Sequence, residues 1–283
     1  MGADGRQAVG RGAGGGTVSE RRSPQVPGWI ARSVQSQTSA ARPSTPRVPG
    51  VPKALGAPRV AASPVGVGLD SSTVRARMVQ RIAAAGVANP QVLQAMATVE
   101  RHRFVDSALV NQAYEDNSLP IGLGQTISKP SVVARMVELL LDSEAAKAGL
   151  RRVLEIGTGC GYQVAVLAMV AKEVYSIERL RGLHEKARGN LRPLRLPNVH
   201  LILGDGMAGF AGGAPYAGII SAAGGDNVPQ AWCDQLAVGG RLVAPVVVAA
   251  GKQALLVIDK SSHGFKQTVL EAVNFVPLKS GIA

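Results

Sequence analysis

Cysteine and histidine are scarce in this chain of 283 residues, which contains two of the first and four of the second. Cys160 and Cys233 form no CxxC pair, and the histidines have no metal-ligand spacing. These counts argue against a disulfide framework and a zinc site, and we predict no metal. Free thiols are typical of a reducing compartment, so the expected location is cytoplasmic.

Long apolar runs are also missing from the sequence. No stretch approaches the roughly 20 apolar residues that a membrane-spanning helix needs, so we predict no membrane partner. The overall apolar content of 46% is nevertheless sufficient for a substantial hydrophobic core. The chain therefore contains at least one sizeable globular domain.

Aromatic and acidic residues are nearly absent from residues 1–72, where Trp29 is the single aromatic side chain. This Pro/Gly/Ser-rich segment has nine Arg or Lys and three Asp or Glu, a net +6 of the chain's +12. Such a composition predicts a disordered, basic extension. It could bind nucleic acid by counterion release or act as a transit peptide. Composition favours a plain solvated extension, and nucleic acid is not an expected partner.

A structured domain is predicted over residues 73–283. Val74, Met78 and Ile82 recur at helical spacing up to Gly86, and Asn89 followed by Pro90 marks the start of a second helix. The sequence leaves open whether translation begins at Met1 or further in, for instance at Met78, which lies just inside this domain.

The stretch VLEIGTGCGY, residues 153–162, is the centre of this domain. A short apolar run is followed by three alternating glycines and then by QVAVLAMVAK, whose apolar residues recur at helical spacing. The pattern predicts a strand, a tight turn and a helix. Glycines permit a close approach of the backbone to a ligand, and ligands of α/β sheets bind beyond the carboxyl ends of the strands. The turn is therefore the predicted cofactor site.

The identity of the cofactor is indicated by carboxylates. A dinucleotide site would have G-x-G-x-x-G, but here the third glycine comes one residue early. Glu155 precedes the turn, and Glu178 and Asp205 end the next two apolar runs. Three acids would repel a pyrophosphate but suit the positive charges of S-adenosylmethionine. The predicted cofactor-binding residues are Glu155, Gly157, Thr158, Gly159, Gly161, Tyr162, Glu178, Asp205 and Gly206.

Five motifs together resemble the bacterial protein-L-isoaspartate O-methyltransferases: LPIGLGQTISKP, VARM, VLEIGTGCGY, GDG and the terminal EAVNFVPL. The resemblance runs from about Val74 to the C-terminus. It implies methyl transfer from S-adenosylmethionine to the free α-carboxyl of L-isoaspartyl, and possibly D-aspartyl, residues in damaged proteins and peptides. The ester then re-cyclises through a succinimide, which initiates repair. Ser128 matches the active-site serine of the family.

The acceptor chemistry agrees with this implication. A carboxylate with a pKa near 4 is already ionised at neutral pH, so it needs no general base to attack a methyl group. It needs neutral donors and an oriented approach, for which Gln125, Thr126, Ile127 and Ser128 are the predicted substrate-binding segment. The alternative for Ser128 is the N-cap of the helix that begins at Pro130.

The chain departs from the family pattern at three places, of which the first is expected to affect stability and the other two to affect recognition of the acceptor. Ala217 replaces a common aspartate in the fourth strand, Asn274 replaces a common basic residue, and the loop AAGGDNVP is unusually rich in glycine. Two other functions therefore stay open: methylation of a different acceptor, and a cofactor-binding module attached to nucleic acid through the basic extension. We expect a monomer.

The expected architecture is α/β, a doubly wound and mostly parallel sheet of the S-adenosylmethionine-dependent methyltransferase (Rossmann-like) type. LLVID and residues 269–276 are predicted to form a terminal antiparallel pair, because no helix-length connection separates them. Trp232 and Leu236, at i and i+4, are predicted to lie on a helix and to pack in the core.

Overall fold

A computed structural model describes residues 72–249 and 251–283. The extension that the composition predicts over residues 1–72 lies outside these residues, except for Ser72, at which the first helix begins. All described residues belong to one compact unit.

Helices and strands alternate through the domain. In chain order they are α1 (Ser72–Ala84), α2 (Pro90–Thr98), β1 (Leu119–Gly122), β2 (Gln125–Ile127), α3 (Pro130–Leu141), α4 (Glu144–Lys147), β3 (Arg152–Ile156), α5 (Tyr162–Ala168), β4 (Glu173–Glu178), α6 (Arg181–Leu191), β5 (Val199–Leu203), β6 (Tyr216–Ser221), α7 (Gln230–Gln235), β7 (Leu236–Ala249), β8 (Lys252–Ser261) and β9 (Gly264–Val273).

Seven strands form one sheet in the order β5-β4-β3-β6-β7-β8-β9. The first five of these are parallel, whereas β8 pairs antiparallel with both β7 and β9. The mostly parallel sheet with a terminal antiparallel pair is thus confirmed. The chain reverses direction across the sheet between β3 and β6, and such a switch point opens a crevice at the carboxyl ends of the strands.

The N-terminal helices form as the sequence predicts. Met78 and Ile82 are the buried residues of α1. The Asn89 side chain caps α2 by accepting hydrogen bonds from the backbone N–H groups of Gln91 and Val92. Both helices pack with α3, and α2 also contacts α5. They therefore cover the same face of the sheet as α5, the helix that follows the glycine turn.

Two element boundaries differ from the sequence prediction. In addition, residues 119–127 form the hairpin β1–β2, for which no strands were predicted. The last strand begins at Gly264, five residues before the predicted start, because its exposed edge position gives it little apolar alternation. Leu236 begins β7 and does not continue α7, although Trp232 and Leu236 are both 1% exposed, as expected of core residues.

The core has two parts. The larger surrounds α1, α2, α3 and α5, and the smaller contains Tyr216, Trp232 and Leu236. The two parts are separated by the sheet, as in a three-layer α/β domain. Within residues 72–249 and 251–283, no helix is both long and apolar enough to cross a bilayer.

Candidate active site

A cavity of about 280 Å³ opens at the carboxyl ends of β3, β4 and β6. It unites the glycine turn with the β1–β2 hairpin, two segments more than 25 residues apart in the sequence. The predicted site residues that line it are Gln125, Thr126, Ile127, Ser128, Gly157, Thr158, Gly159, Tyr162, Glu178 and Gly206. Glu155, Gly161 and Asp205 do not line it.

The glycine turn depends on backbone conformations that other residues rarely adopt. Gly157, Gly159 and Gly161 have φ angles of 90°, 57° and 92°. A Cβ atom on Gly161 would also lie 3.0 Å from Leu191 Cδ1, because α6 packs directly against the turn. The alternating glycines therefore shape the turn, and Gly161 acts from behind the cavity wall instead of within it.

Glu178 joins the turn to β4. Its Oε2 accepts a hydrogen bond of 2.9 Å from the Gly159 N–H, and its Oε1 accepts one of 2.9 Å from the Leu180 N–H. The side chain is largely buried yet reaches the cavity. A carboxylate offers about four acceptor sites, so this one keeps capacity for the hydroxyls of a ligand.

Glu155 occupies a different position from the one expected of a cofactor ligand. It is fully buried within β3, beneath the turn, and its carboxyl group is hydrogen-bonded to the Ser176 hydroxyl. The Ser176 hydroxyl in turn lies 2.6 Å from Thr158 Oγ1. Burial raises the pKa of Glu155 from 4.5 to about 8, although hydrogen bonds from Ser176 and Gln163 oppose the shift. Glu155 is therefore protonated at neutral pH and supports the floor of the cavity.

The raised pKa of Glu155 predicts a pH dependence of stability. The folded protein keeps a proton that the unfolded chain releases above about pH 4.5, so stability is lost as the pH rises towards 8. Between these two pH values the residue should lower the free energy of unfolding by about 1.4 kcal/mol per pH unit. The free energy of unfolding of Glu155→Gln, measured by urea denaturation at several pH values, should lack this slope. If the free energies of the variant and of the wild type changed with pH in parallel, that result would contradict a buried, protonated Glu155.

Asp205 holds the C-terminal segment. Its Oδ1 accepts a hydrogen bond of 2.8 Å from the Met207 N–H, and its Oδ2 accepts one of 2.8 Å from the Gly281 N–H. The neighbouring Gly206 lines the cavity, where a Cβ would come within 2.6 Å of Ile156 Cγ2. In the GDG turn, Gly206 therefore forms part of the cavity wall, whereas the Asp205 carboxylate holds the C-terminal segment in place.

Ser128 lies half-buried between β2 and α3 and lines the cavity. The N-cap of α3 is Lys129, which makes no side-chain capping bond, so the alternative role of Ser128 as N-cap is wrong. Asp116 instead satisfies the start of α3 by accepting hydrogen bonds from the Ser131 N–H and hydroxyl. Among the described residues the Ser128 hydroxyl has no hydrogen-bond partner and is available to a ligand.

Arg101 fixes the loop that leads into this hairpin. Although fully buried, its guanidinium donates to the carbonyl oxygens of Ala113 at 2.8 Å and Asn117 at 3.2 Å. It also lies 4.8 Å from the ring centroid of Tyr162, a residue of the cavity wall. Burial lowers the pKa of Arg101 and raises that of Tyr162 to about 12. The Arg101 cation thus connects the loop that leads into the β1–β2 hairpin with Tyr162, the residue that follows the glycine turn.

The C-terminal segment forms a wall that the sequence reasoning did not assign. Residues 276–279 line the cavity, and this segment exchanges backbone hydrogen bonds with Gly224, whose N–H donates to Val276 O and whose carbonyl accepts from the Leu278 N–H. Three of these four residues belong to the FVPL motif, residues 275–278, which is the sequence signal for this wall. Ala222 and Ala223, from the glycine-rich loop, also line the cavity.

The other two departures lie away from the cavity. Ala217 is buried at the start of β6, the end opposite the cavity, and Asn274 is exposed. A Cβ on Gly224 would meet Gln253 Nε2 at 2.6 Å, and the Gln253 amide also pairs with the backbone of Phe275. The extra glycine of the loop is therefore explained by a local contact.

No group of three or more metal-ligating side chains occurs in the part of the chain described here.

Comparison with known proteins places this chain among methyltransferases. The profile of the family "Protein-L-isoaspartate(D-aspartate) O-methyltransferase (PCMT)" matches residues 73–283. The protein-L-isoaspartate O-methyltransferase of Methylibium petroleiphilum is 61% identical over 222 residues, covering 77% of this chain and 82% of the relative. The Burkholderia mallei enzyme of the same name is 50% identical over 277 residues, covering 94% and 83%.

Solved structures give the same likeness. A protein-L-isoaspartate O-methyltransferase superposes with a TM-score of 0.66 at 28% identity, covering 74% of this chain and 67% of that one. A Plasmodium falciparum protein described as a putative protein-L-isoaspartate O-methyltransferase in complex with S-adenosyl-L-homocysteine has a TM-score of 0.61 at 22% identity, covering 72% and 98%. At that identity the second structure is evidence for the fold alone.

Proposed function

This chain belongs to the protein-L-isoaspartate(D-aspartate) O-methyltransferase family, and we propose that it performs the family's reaction with Ser128 on the acceptor side of the cavity and Glu178 on the cofactor side. It is accordingly an S-adenosylmethionine-dependent carboxyl methyltransferase that acts on isoaspartyl residues of proteins and peptides and initiates their repair. The assignment of individual residues is our own.

The cofactor side of the cavity fits S-adenosylmethionine. Glu178 has spare acceptor capacity for ribose hydroxyls, and the glycine turn lets backbone approach a ligand without interference from side chains. Gly206 lines the cavity beyond the end of β5, packed too closely on Ile156 for any side chain. When bound, the cofactor supplies a methyl group on a positively charged sulfur.

The acceptor side fits a carboxylate that is already ionised. The Ser128 hydroxyl donates a hydrogen bond that orients one carboxylate oxygen, and the backbone of residues 125–128 supplies further neutral donors. A hydrogen bond from a neutral donor holds the oxygen without quenching its nucleophilicity as a close ammonium would. The gain comes from orientation, which can lower a barrier by several kcal/mol. No general base is needed.

One observation carries this proposal: Ser128 and Glu178, which are 50 residues apart in the sequence, line the same cavity. Glu155, Gly161 and Asp205 act in this proposal as supports of the cavity. We further propose a monomer in the cytoplasm with no nucleic-acid partner, on the basis of the scarce cysteines and the plain composition of the basic extension.

The reaction is tested by transfer of labelled methyl from S-adenosylmethionine to two matched peptides, one with an L-isoaspartyl residue and one with normal aspartate. We expect base-labile label on the isoaspartyl peptide alone, and a weaker signal on a D-aspartyl peptide. Equal label on the isoaspartyl and aspartyl peptides would refute selective recognition. Label on neither peptide, with cofactor still bound, would indicate a different acceptor, chosen by the altered loop AAGGDNVP.

A further inference from the structure

Leu123, at the tip of the β1–β2 hairpin, is an apolar residue at the mouth of the cavity. It lines the cavity and is nevertheless 62% exposed to solvent. The other exposed residues of the cavity wall are Thr126, Pro277 and Lys279, so the mouth presents one branched aliphatic side chain among smaller or charged ones. A single exposed leucine is ordinary on a protein surface, but this one stands where a substrate enters.

The backbone of the hairpin tip is also unfavourable for a leucine. Leu123 has a φ angle of 51° and lies between Gly122 and Gly124, whose φ angles are 97° and 69°. Glycine and asparagine adopt this left-handed conformation more readily than leucine does. Residues held in such conformations cluster at ligand-binding sites. Conformation and solvent exposure both disfavour a leucine here, which indicates that its side chain has a contact to make outside the chain.

The hairpin tip is held in place by α6. Lys186 Nζ donates a hydrogen bond of 2.8 Å to the Ile121 carbonyl oxygen and forms an ion pair of 3.2 Å with Asp106. A Cβ atom on Gly182, in the first turn of α6, would lie 3.0 Å from Leu123 Cδ1. One face of the leucine therefore packs on α6 and the rest stays exposed. Because the surface is already positioned, a ligand that binds it has little ordering cost.

The substrate itself supplies the contact. An isoaspartyl residue belongs to a peptide chain that continues in both directions, and its carboxyl group has to reach Ser128 inside a cavity of about 280 Å³ that also takes the cofactor. The residues next to it in the substrate therefore lie over the mouth. We propose that Leu123 is a specificity-determining residue that packs against a large apolar side chain adjacent to the isoaspartyl residue. The inference rests on the proposed function.

The test measures methyl-transfer kinetics of the full chain on three isoaspartyl peptides of equal length and charge. One has leucine directly before the isoaspartyl residue, one has leucine directly after it, and one has serine at both places. We expect the wild type to favour one leucine peptide over the serine peptide at least about fivefold in kcat/KM, somewhat less than an enclosed apolar pocket achieves. Leu123→Asn should bring this ratio to within about twofold of unity and leave kcat/KM for the serine peptide nearly unchanged. Leu123→Met, which keeps an apolar side chain of similar volume, should retain the preference.

Val238 provides a matched control, because it is an aliphatic residue of similar exposure, 64%, that lies in β7 and does not line the cavity. Val238→Asn should leave the ratio at the wild-type value. A wild type with no preference for either leucine peptide, or a preference that survives in Leu123→Asn, would overturn the inference. An equal loss of activity on all three peptides in Leu123→Asn would also overturn it and assign Leu123 to the structure of the hairpin. Absence of methyl transfer to any of the three peptides by the wild type would instead refute the proposed function.

Discussion

Replacing Ser128 by alanine is expected to lower kcat/KM for an isoaspartyl peptide about 10²- to 10³-fold, the usual effect of removing one preorganised donor from an active site. The Ser128 hydroxyl lines the cavity, is not used to cap α3, and has no other partner among the described residues. Its loss should therefore affect orientation of the acceptor and leave the fold intact. The measurements are methyl-transfer kinetics and, separately, calorimetric binding of S-adenosylhomocysteine, whose Kd should change less than about twofold.

Ser131 is the control for this variant. It lies three residues further on, in the first turn of α3, and its hydroxyl donates to Asp116 Oδ2 at 2.7 Å outside the cavity. Ser131→Ala should lower the melting temperature slightly and leave kcat/KM within about threefold of the wild type. A comparable loss of activity in both variants would mean that Ser128 acts through the structure of the hairpin and not through the substrate.

The sequence alone was sufficient for the parts of the site that follow strand ends. A glycine turn after an apolar run predicts strand, turn and helix, and the acid at the end of the next run reaches the same crevice because parallel strands end at one edge. Glu178 and the turn were located in this way. The terminal antiparallel pair was predicted from the shortness of its connection.

Other features depend on tertiary contacts that local patterns do not contain. The sequence cannot distinguish a carboxylate that faces the cavity, such as Glu178, from one buried behind it, such as Glu155, because both lie near strand ends in similar apolar runs. Asp205 is directed away by a hydrogen bond to Gly281, which is 76 residues distant.

Glu178→Ala is expected to weaken binding of S-adenosylhomocysteine about 10³-fold. Hydrogen bonds to a charged acceptor are worth about 1.5–3 kcal/mol each, and two ribose hydroxyls would lose their acceptor together. The N–H groups of Gly159 and Leu180 also lose their partner, so the glycine turn should loosen. Calorimetry gives the change in Kd, and kcat at saturating cofactor should fall far less than kcat/KM for the cofactor.

Glu173 is the appropriate control, because it begins the strand that Glu178 ends. It is half exposed and forms an ion pair of 3.2 Å with Arg152 at the end of β4 opposite the cavity. Glu173→Ala should change the Kd for S-adenosylhomocysteine less than about twofold, since exposed ion pairs contribute less than about 1 kcal/mol to stability. Equal loss of cofactor binding in Ser128→Ala and Glu178→Ala would contradict the division of the cavity into an acceptor side and a cofactor side. Loss in Glu178→Ala alone, with Glu173→Ala unchanged, would place the cofactor's ribose at the end of β4.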